Sequence, residues 1–367
     1  MTKHIVFDAR ESGTTTGRYM DKLIEHMHKL HPQYQITLLA KPGRVQYLQK
    51  LAPNFPVLES DVKEFTFAEQ IKLLRQINAL RADLVHFPIV QQPILYRGKS
   101  VTTMQDLTTI RFRNPAKNLA VFWVKQTVYK WVNRYVARKS IALLAISAHT
   151  QHDIATYCRI PLEKITVTHL AADPISDNAE PYKPVAGKQF IVYVGRPLPH
   201  KNLGRLLDAF AVLQKTHPEL VLVLVGKKDA NYARHEERVL REGIQNVVFT
   251  DFISEGQLRW LYENCAAYVF PSLSEGFGLP GLEAMVHGAP VVSSSATCLP
   301  EVYGDAAEYF DPLSADDIAA KIASVLDNET KRRTLIKKGK RQAAKYSWER
   351  TARQTLAVYE KALKPTR

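Results

Sequence analysis

Residues 189–210 read QFIVYVGRPLPHKNLGRLLDAF. A run of β-branched and aromatic residues leads through Gly195 into a loop holding Pro197 and Pro199. The loop opens into a segment with apolar residues at helical spacing. An apolar run without polar alternation is what a strand buried on both faces requires. The strand–loop–helix unit recurs in both directions. Towards the C-terminus ELVLVLVG, NVVFT, AAYVF and APVVSS are further strands. Towards the N-terminus KHIVFDA, QITLLA, DLVHF, SVTTM and IALLAI form a second series, each strand separated by a helix-length segment. This alternation predicts an α/β chain with doubly wound, Rossmann-like parallel sheets.

The two series are interrupted at AADPISDNAEPYKPVAGK (171–188), rich in Pro, Asp and Asn, which reads as a linker. The expected domains are residues 1–178 and 179–346. After about Ser314 the pattern is wholly helical, through ADDIAAKIASVLDN, ETKRRTLIKKGKRQAAKY and SWERTARQTLAVYEKAL. Ser347 is a good N-cap for the last of these, and segment 347–367 is expected to join the first domain and brace both. Ligands of doubly wound sheets bind outside the carboxyl ends of the strands. The expected site is therefore a cleft between the two facing domains, lined by loops that follow strands.

A length of 367 residues suits two domains, and a hydrophobic fraction of 46% excludes a disordered chain. The three cysteines, Cys158, Cys265 and Cys298, lie far apart, which argues against a disulfide framework or a Cys-rich metal site and for a reducing compartment. The longest apolar stretches, 141–146 and 220–226, are far below the roughly 18–20 residues of a spanning helix. Asp8 arrives too early for a signal peptide, so a cytoplasmic location is expected. The net charge is +14, and residues 1–172 hold 24 Lys/Arg against 12 Asp/Glu, while residues 173–367 hold 26 against 24. This asymmetry points to a polyanionic partner: nucleic acid, an anionic membrane surface or a phosphorylated substrate.

Three loops carry chemistry. ARESGTTTGRY, after the first strand, places Gly13 and Gly17 before a helix, where free backbone N–H groups suit a phosphate. Its spacing is not G-x-G-x-x-G, which disfavours a dinucleotide site; a plain turn is the alternative. VGRPLPHKN (194–202) puts Arg196 and Lys201 directly after a buried strand, where two cations offset charge developing on a departing diphosphate; a solvated basic loop is the alternative. FPSLSEGFGLPGLEAMVHGAPVV (270–292) places Glu275 in a Gly-rich loop and Glu283 about one turn inside the following helix. Carboxylates accept hydrogen bonds from vicinal diols, so this pair suits a sugar and a ribose. The N–H groups of Phe277, Gly278 and Leu279 would face the phosphates between them.

Together EGFGLPGLE, GRPLPHKN, DFISEGQLRWLYENCAAYVFPS and LPEVYGDAAEYFDP resemble the retaining nucleotide-sugar glycosyltransferases of family 4, which have the two-domain GT-B architecture. The likeness is dense from about Phe190 to Asp311, continues in the helical tail, and is thinner before Ala171. It implies a hexosyltransferase of mannose or glucose type. Arg196 and Lys201 would bind the donor diphosphate and stabilise it as it leaves. Glu275 would hold the donor sugar and Glu283 the ribose. Gly195, Phe277, Gly278 and Leu279 would line the phosphates, Phe252 and Ile253 the base, and Gly17 would approach the diphosphate from the first domain. The donor would be GDP-mannose or a UDP-hexose, and no metal or other cofactor is implied. In agreement, no Asp-x-Asp follows a strand, and Asp316-Asp317 sits at a helix start where the dipole explains it.

Two departures from the family pattern stand out. Thr14–Thr16 replaces a glycine pair. In VTTMQDL, Gln105 stands where the family has His, and an amide cannot act as a base. Attack and departure on one face of the sugar would let the leaving phosphate oxygen take the acceptor proton. Gln105, Asp106 and His86 are the acceptor-side candidates, although His86 at a strand end is equally an ordinary half-buried histidine. An epimerase or phosphorylase of the same architecture, or a non-catalytic binder of sugar nucleotide or nucleic acid, are the competing functions.

Between Asp106 and Asp153 there is no acidic residue, but eight Lys/Arg interleaved with aromatics. At 100° per residue Val121, Val124, Val128, Val132 and Tyr135 would share a packing face. Trp123, Lys130, Trp131, Arg134 and Arg138 would lie roughly opposite. A Trp-plus-cation face suits an anionic membrane surface; a solvated basic helix is the alternative, and no nucleic-acid module accompanies it. The expected acceptor is therefore a lipid-linked or membrane-proximal glycan, used in polysaccharide or glycolipid biosynthesis by a peripheral enzyme at the inner face of the cell membrane.

Overall fold

The computed structural model describes residues 2–14, 17–64, 66–112 and 119–364. The chain forms two compact units. The first comprises residues 1–110, 116–170 and 347–367, and the second residues 171–346 with a short piece beginning at Arg111. The boundary falls at 170/171 rather than 178 because the linker is bonded to the second unit. Ile175 N–H donates to His287 Nε2 at 3.0 Å and Glu180 N–H to Gly256 O at 3.0 Å.

The first unit holds a sheet of β1 (Lys3–Asp8), β2 (Tyr34–Ala40), β3 (Val57–Glu59), β4 (Leu84–Phe87), β5 (Ser100–Met104), β6 (Ala142–Ala145) and β7 (Ile165–Val167). All pairings are parallel, in the order β3-β2-β1-β4-β5-β6-β7. The second unit holds β8 (Phe190–Val194), β9 (Val221–Val225), β10 (Val247–Phe249), β11 (Ala267–Phe270), β12 (Val291–Ser294) and β13 (Ala307–Phe310). Their order is β10-β9-β8-β11-β12-β13, again parallel. The central strands are buried except at Val194, the last residue of β8, as their unbroken apolar runs require. Both sheets are doubly wound, as expected.

The helical tail folds as Ala315–Leu326, Glu329–Ala343 and Trp348–Leu363. Ser314, Asn328 and Ser347 each accept a backbone N–H from the first turn through their side chains. Helix Trp348–Leu363 is part of the first unit. Trp348 lies against Tyr19, the Tyr359 hydroxyl meets His86 Nδ1 at 2.5 Å, and Lys99 Nζ donates to Ala362 O at 3.0 Å. Beneath β1, Arg10 is buried in an ion triad. Its Nη2 reaches Asp8 Oδ2 at 2.8 Å and Glu69 Oε1 at 3.0 Å, and its Nη1 donates to Val62 O at 3.0 Å. Burial opposes the charge on the guanidinium, but Asp8 and then Glu69 outweigh it and raise its pKa. Among the described residues, no helix is long and apolar enough to cross a membrane.

Candidate active site

In the second sheet the strand order reverses between β8 and β11, the switch point at which ligands of such sheets bind. The loops after these two strands carry Arg196, Lys201 and Glu275, and the structure brings two of the three together. Lys201 Nζ donates to Glu275 Oε1 at 2.7 Å, with both side chains mostly buried. Arg196 is exposed directly after β8. His200, next to Lys201, has a pKa lowered to about 4, first by burial and then by the Lys201 charge, with Glu275 opposing. It is therefore a neutral imidazole at physiological pH.

Side chains from elsewhere in the unit fix the backbone of these loops. Asn202 sits in the left-handed region at φ 59°, a conformation Asn tolerates. Its Nδ2 donates to Pro271 O at 3.0 Å and Pro312 O at 2.8 Å, joining the loops after β8, β11 and β13. Leu273 N–H donates to His200 O at 2.7 Å. The Tyr193 hydroxyl donates to Arg196 O at 3.3 Å and the Tyr232 hydroxyl to Gly195 O at 2.8 Å. Glu275 N–H donates to Thr297 Oγ1 at 3.1 Å, and Cys298 S–H donates to Glu275 O at 3.2 Å.

Gly278 is the N-cap of helix Leu279–Val286 at φ 87°, a conformation that favours glycine, and a Cβ there would lie 2.6 Å from the Tyr303 hydroxyl. Pro280 in the first turn has no N–H, so the donors at this helix start come from the residues before it. Phe277 is buried and sends its ring into the core, edge-on to Tyr346 at 5.5 Å. Glu283 is half-buried on the first turns of the helix, and its charge bears on the buried Tyr268 phenol. In the loop after β10, Phe252 is 87% exposed beside the half-buried Ile253. An apolar ring open to solvent there offers a stacking face.

In the first unit, Gly17 starts helix Gly17–Lys29, and a Cβ would lie 1.9 Å from Glu11 O, so the chain path itself requires glycine. His86 corrects the acceptor reading. It is fully buried, with Nδ1 on Tyr359 and Nε2 on Thr103 Oγ1 at 2.8 Å, and burial lowers its pKa to about 3. It is a core histidine with both ring nitrogens engaged. Gln105, just beyond β5, has a buried Nε2 without a hydrogen-bond partner among the described residues. Asp106 is exposed, and its Oδ1 accepts Thr108 N–H at 2.8 Å.

The basic segment folds as helix Leu119–Lys139. Trp123 and Trp131 are 61% and 53% exposed; Arg134 and Arg138 are exposed and Lys130 half-buried. The expected packing face is corrected. Val128 and Tyr135 are exposed, Val132 is half-buried, and the side chains of Val121 and Val124 lie outside the described residues. The helix instead buries Gln126, Asn133, Val136 and Ala137. Polar residues are tolerated there because Gln126 Nε2 donates to Thr109 O and Ile110 O at 3.0 and 2.7 Å, and Asn133 Nδ2 to Tyr129 O at 2.8 Å.

The family model for glycosyl transferases group 1 matches residues 175–342, the segment that holds the switch-point loops. The chain is 34% identical over 274 residues to the O-antigen chain mannosyltransferase B of Escherichia coli, covering 71% of this chain and 70% of that protein. It is 33% identical over 254 residues to the MMP alpha-(1->4)-mannosyltransferase of Mycolicibacterium hassiacum, covering 66% and 61%. Among solved structures, sucrose-phosphate synthase from Thermosynechococcus elongatus superposes with a TM-score of 0.78 at 18% identity over 98% of each chain, a likeness of fold. The chain belongs to the group 1 glycosyltransferases.

Proposed function

We propose that the protein is a retaining, metal-independent hexosyltransferase of family 4, acting from a nucleotide diphosphate sugar on a glycan or lipid-linked acceptor. The observation that carries this reading is the meeting of the Arg196–Lys201 loop and the Glu275–Leu279 loop at the switch point of the second sheet. Two cations, a helix start and two carboxylates match a diphosphate flanked by two polyols. The mannosyltransferase names of both relatives favour mannose, and with it GDP-mannose, over a UDP-hexose.

In this mechanism the acceptor hydroxyl attacks the anomeric carbon on the face from which the diphosphate leaves. The bond from that carbon to the phosphate oxygen breaks, and the acceptor proton passes to that oxygen. Arg196 and Lys201 offset the developing charge, with the mostly buried Lys201 held in place by Glu275. No side-chain base is needed, which suits Gln105. The exposed Trp and Arg face of helix Leu119–Lys139 fits a peripheral position at the inner face of the membrane. A thermal-shift panel of GDP-mannose, UDP-glucose and UDP-N-acetylglucosamine tests the donor. Stabilisation by one is expected, and stabilisation by none rejects the reading.

A further inference from the structure

The loop after β12 and the short helix Leu299–Tyr303 that follows it carry none of the residues assigned to the donor, yet they make three bonds to the loop that does. Thr297 Oγ1 accepts the Glu275 N–H at 3.1 Å, Cys298 S–H donates to Glu275 O at 3.2 Å, and the Tyr303 hydroxyl donates to Gly278 O at 2.5 Å. Both backbone polar groups of Glu275 are thereby fixed from outside its own loop. The contact is also steric: a Cβ on Gly281 would lie 2.2 Å from the Tyr303 hydroxyl. Thr297 holds φ 54°, a left-handed conformation that a β-branched residue adopts at a cost. Segment 296–303 is itself anchored, because Gln342 Nε2 and the Tyr346 hydroxyl donate to Val302 O at 2.7 and 3.1 Å. Tyr303 is fully buried and Cys298 has no exposure, so neither touches a ligand directly.

We infer that Thr297, Cys298 and Tyr303 are positioning residues that divide the donor between them, an inference that rests on the donor-site reading above. Thr297 and Cys298 set Glu275, and through it the grip on the sugar. Tyr303, alongside the Gly281 N–H at 3.1 Å, holds the Gly278 carbonyl inward, so the N–H groups at the helix start face the diphosphate. The two effects separate experimentally. Tyr303→Phe keeps the ring and removes only the hydroxyl, so it should weaken GDP or UDP affinity by about three- to tenfold, the range of one net hydrogen bond. Thr297→Gly removes the hydroxyl and relieves the backbone. It should leave the melting temperature unchanged or raised, keep GDP and UDP affinity, and raise the KM for the sugar nucleotide by a similar factor. Thr297→Ser restores the oxygen and should restore KM.

Calorimetry with GDP and UDP, melting temperatures and steady-state kinetics on the full chain read these outcomes. Wild-type diphosphate affinity in Tyr303→Phe, or an unchanged sugar-nucleotide KM in Thr297→Gly, overturns the inference while leaving the donor site standing. A wild-type protein that binds neither GDP nor UDP overturns the donor reading and this inference with it.

Discussion

Lys201 Nζ donates to Glu275 Oε1 at 2.7 Å, joining the two loops at the switch point of the second sheet. The ammonium proposed to receive a diphosphate is thus held by the carboxylate proposed to hold the sugar. Both side chains are mostly buried, so the pair is screened less than a surface ion pair.

A diphosphate competes with Glu275 for Lys201, and this separates the two variants. Glu275→Gln removes the competing charge and keeps the shape. GDP or UDP affinity should hold or rise, while kcat for sugar transfer falls about a hundredfold or more. Lys201→Met should lower both, with a kcat loss of the same order. Calorimetry and initial rates decide it, and equal loss of diphosphate affinity in the two variants would confine Glu275 to orienting Lys201.

The Asp8–Arg10–Glu69 triad predicts a large stability effect. All three side chains are almost wholly buried, and Arg10 is the one cation between two carboxylates, so removing it strands both in low dielectric. Arg10→Met should cost about 3–5 kcal/mol in urea unfolding. Arg353→Ala, which breaks the exposed Arg353–Glu349 pair, should cost less than about 1 kcal/mol. Equal midpoints for the two variants would show that the triad is not electrostatically isolated.

What the sequence conveys depends on how local the determinant is. The strand–loop–helix unit from β8 is legible because its apolar run, its prolines and its helical period lie within 22 residues. Strands β3, β7 and β13 escape because each is an edge strand of three or four residues broken by a polar residue, whereas the equally short edge strand β10 is wholly apolar. The packing face of helix Leu119–Lys139 is misread because hydrophobic periodicity counts Gln126 and Asn133 as outward. Their amide nitrogens find carbonyls of Thr109, Ile110 and Tyr129, which offsets part of the cost of burial although Asn133 Oδ1 has no partner among the described residues. His86 and the Tyr303 contact fail for a related reason. Tyr359 lies 273 residues from His86, and Gly278 lies 25 residues from Tyr303, so no spacing rule connects them.

His86 makes the fold acid-sensitive. Its folded pKa of about 3 lies below the ordinary 6.5, so between these values the unfolded chain holds the extra proton. Stability is complete above pH 6.5 and is lost as pH falls through that window. At 1.36 kcal/mol per unit, the loss from this residue is roughly 2–3 kcal/mol by pH 4.5. His200, lowered to about 4, acts in the same direction. Urea midpoints between pH 7.5 and 4.5 should fall in the wild type, and His86→Gln should flatten the curve. Identical slopes would assign the acid loss elsewhere.

The face of helix Leu119–Lys139 carries the membrane proposal, and its test must allow for a structural role of the arginines. Arg134 Nε and Arg138 Nε donate to Tyr157 O and Cys158 O, both at 3.3 Å, at the end of helix Ala148–Cys158. Charge reversal there disturbs a helix terminus as well as a surface. Trp131, stacked on Tyr135 at 5.2 Å and 53% exposed, offers a cleaner handle. Lys130→Glu, Arg134→Glu and Arg138→Glu together should reduce sedimentation with phosphatidylglycerol vesicles by at least a hundredfold, at about 1 kcal/mol for each cation lost. Trp123→Ser with Trp131→Ser should weaken it while leaving the melting temperature within about 2 °C, since two exposed side chains contribute little to folding. Vesicle binding that survives both variants would remove the membrane from the account of the +14 charge and leave helix Leu119–Lys139 as a solvated basic helix.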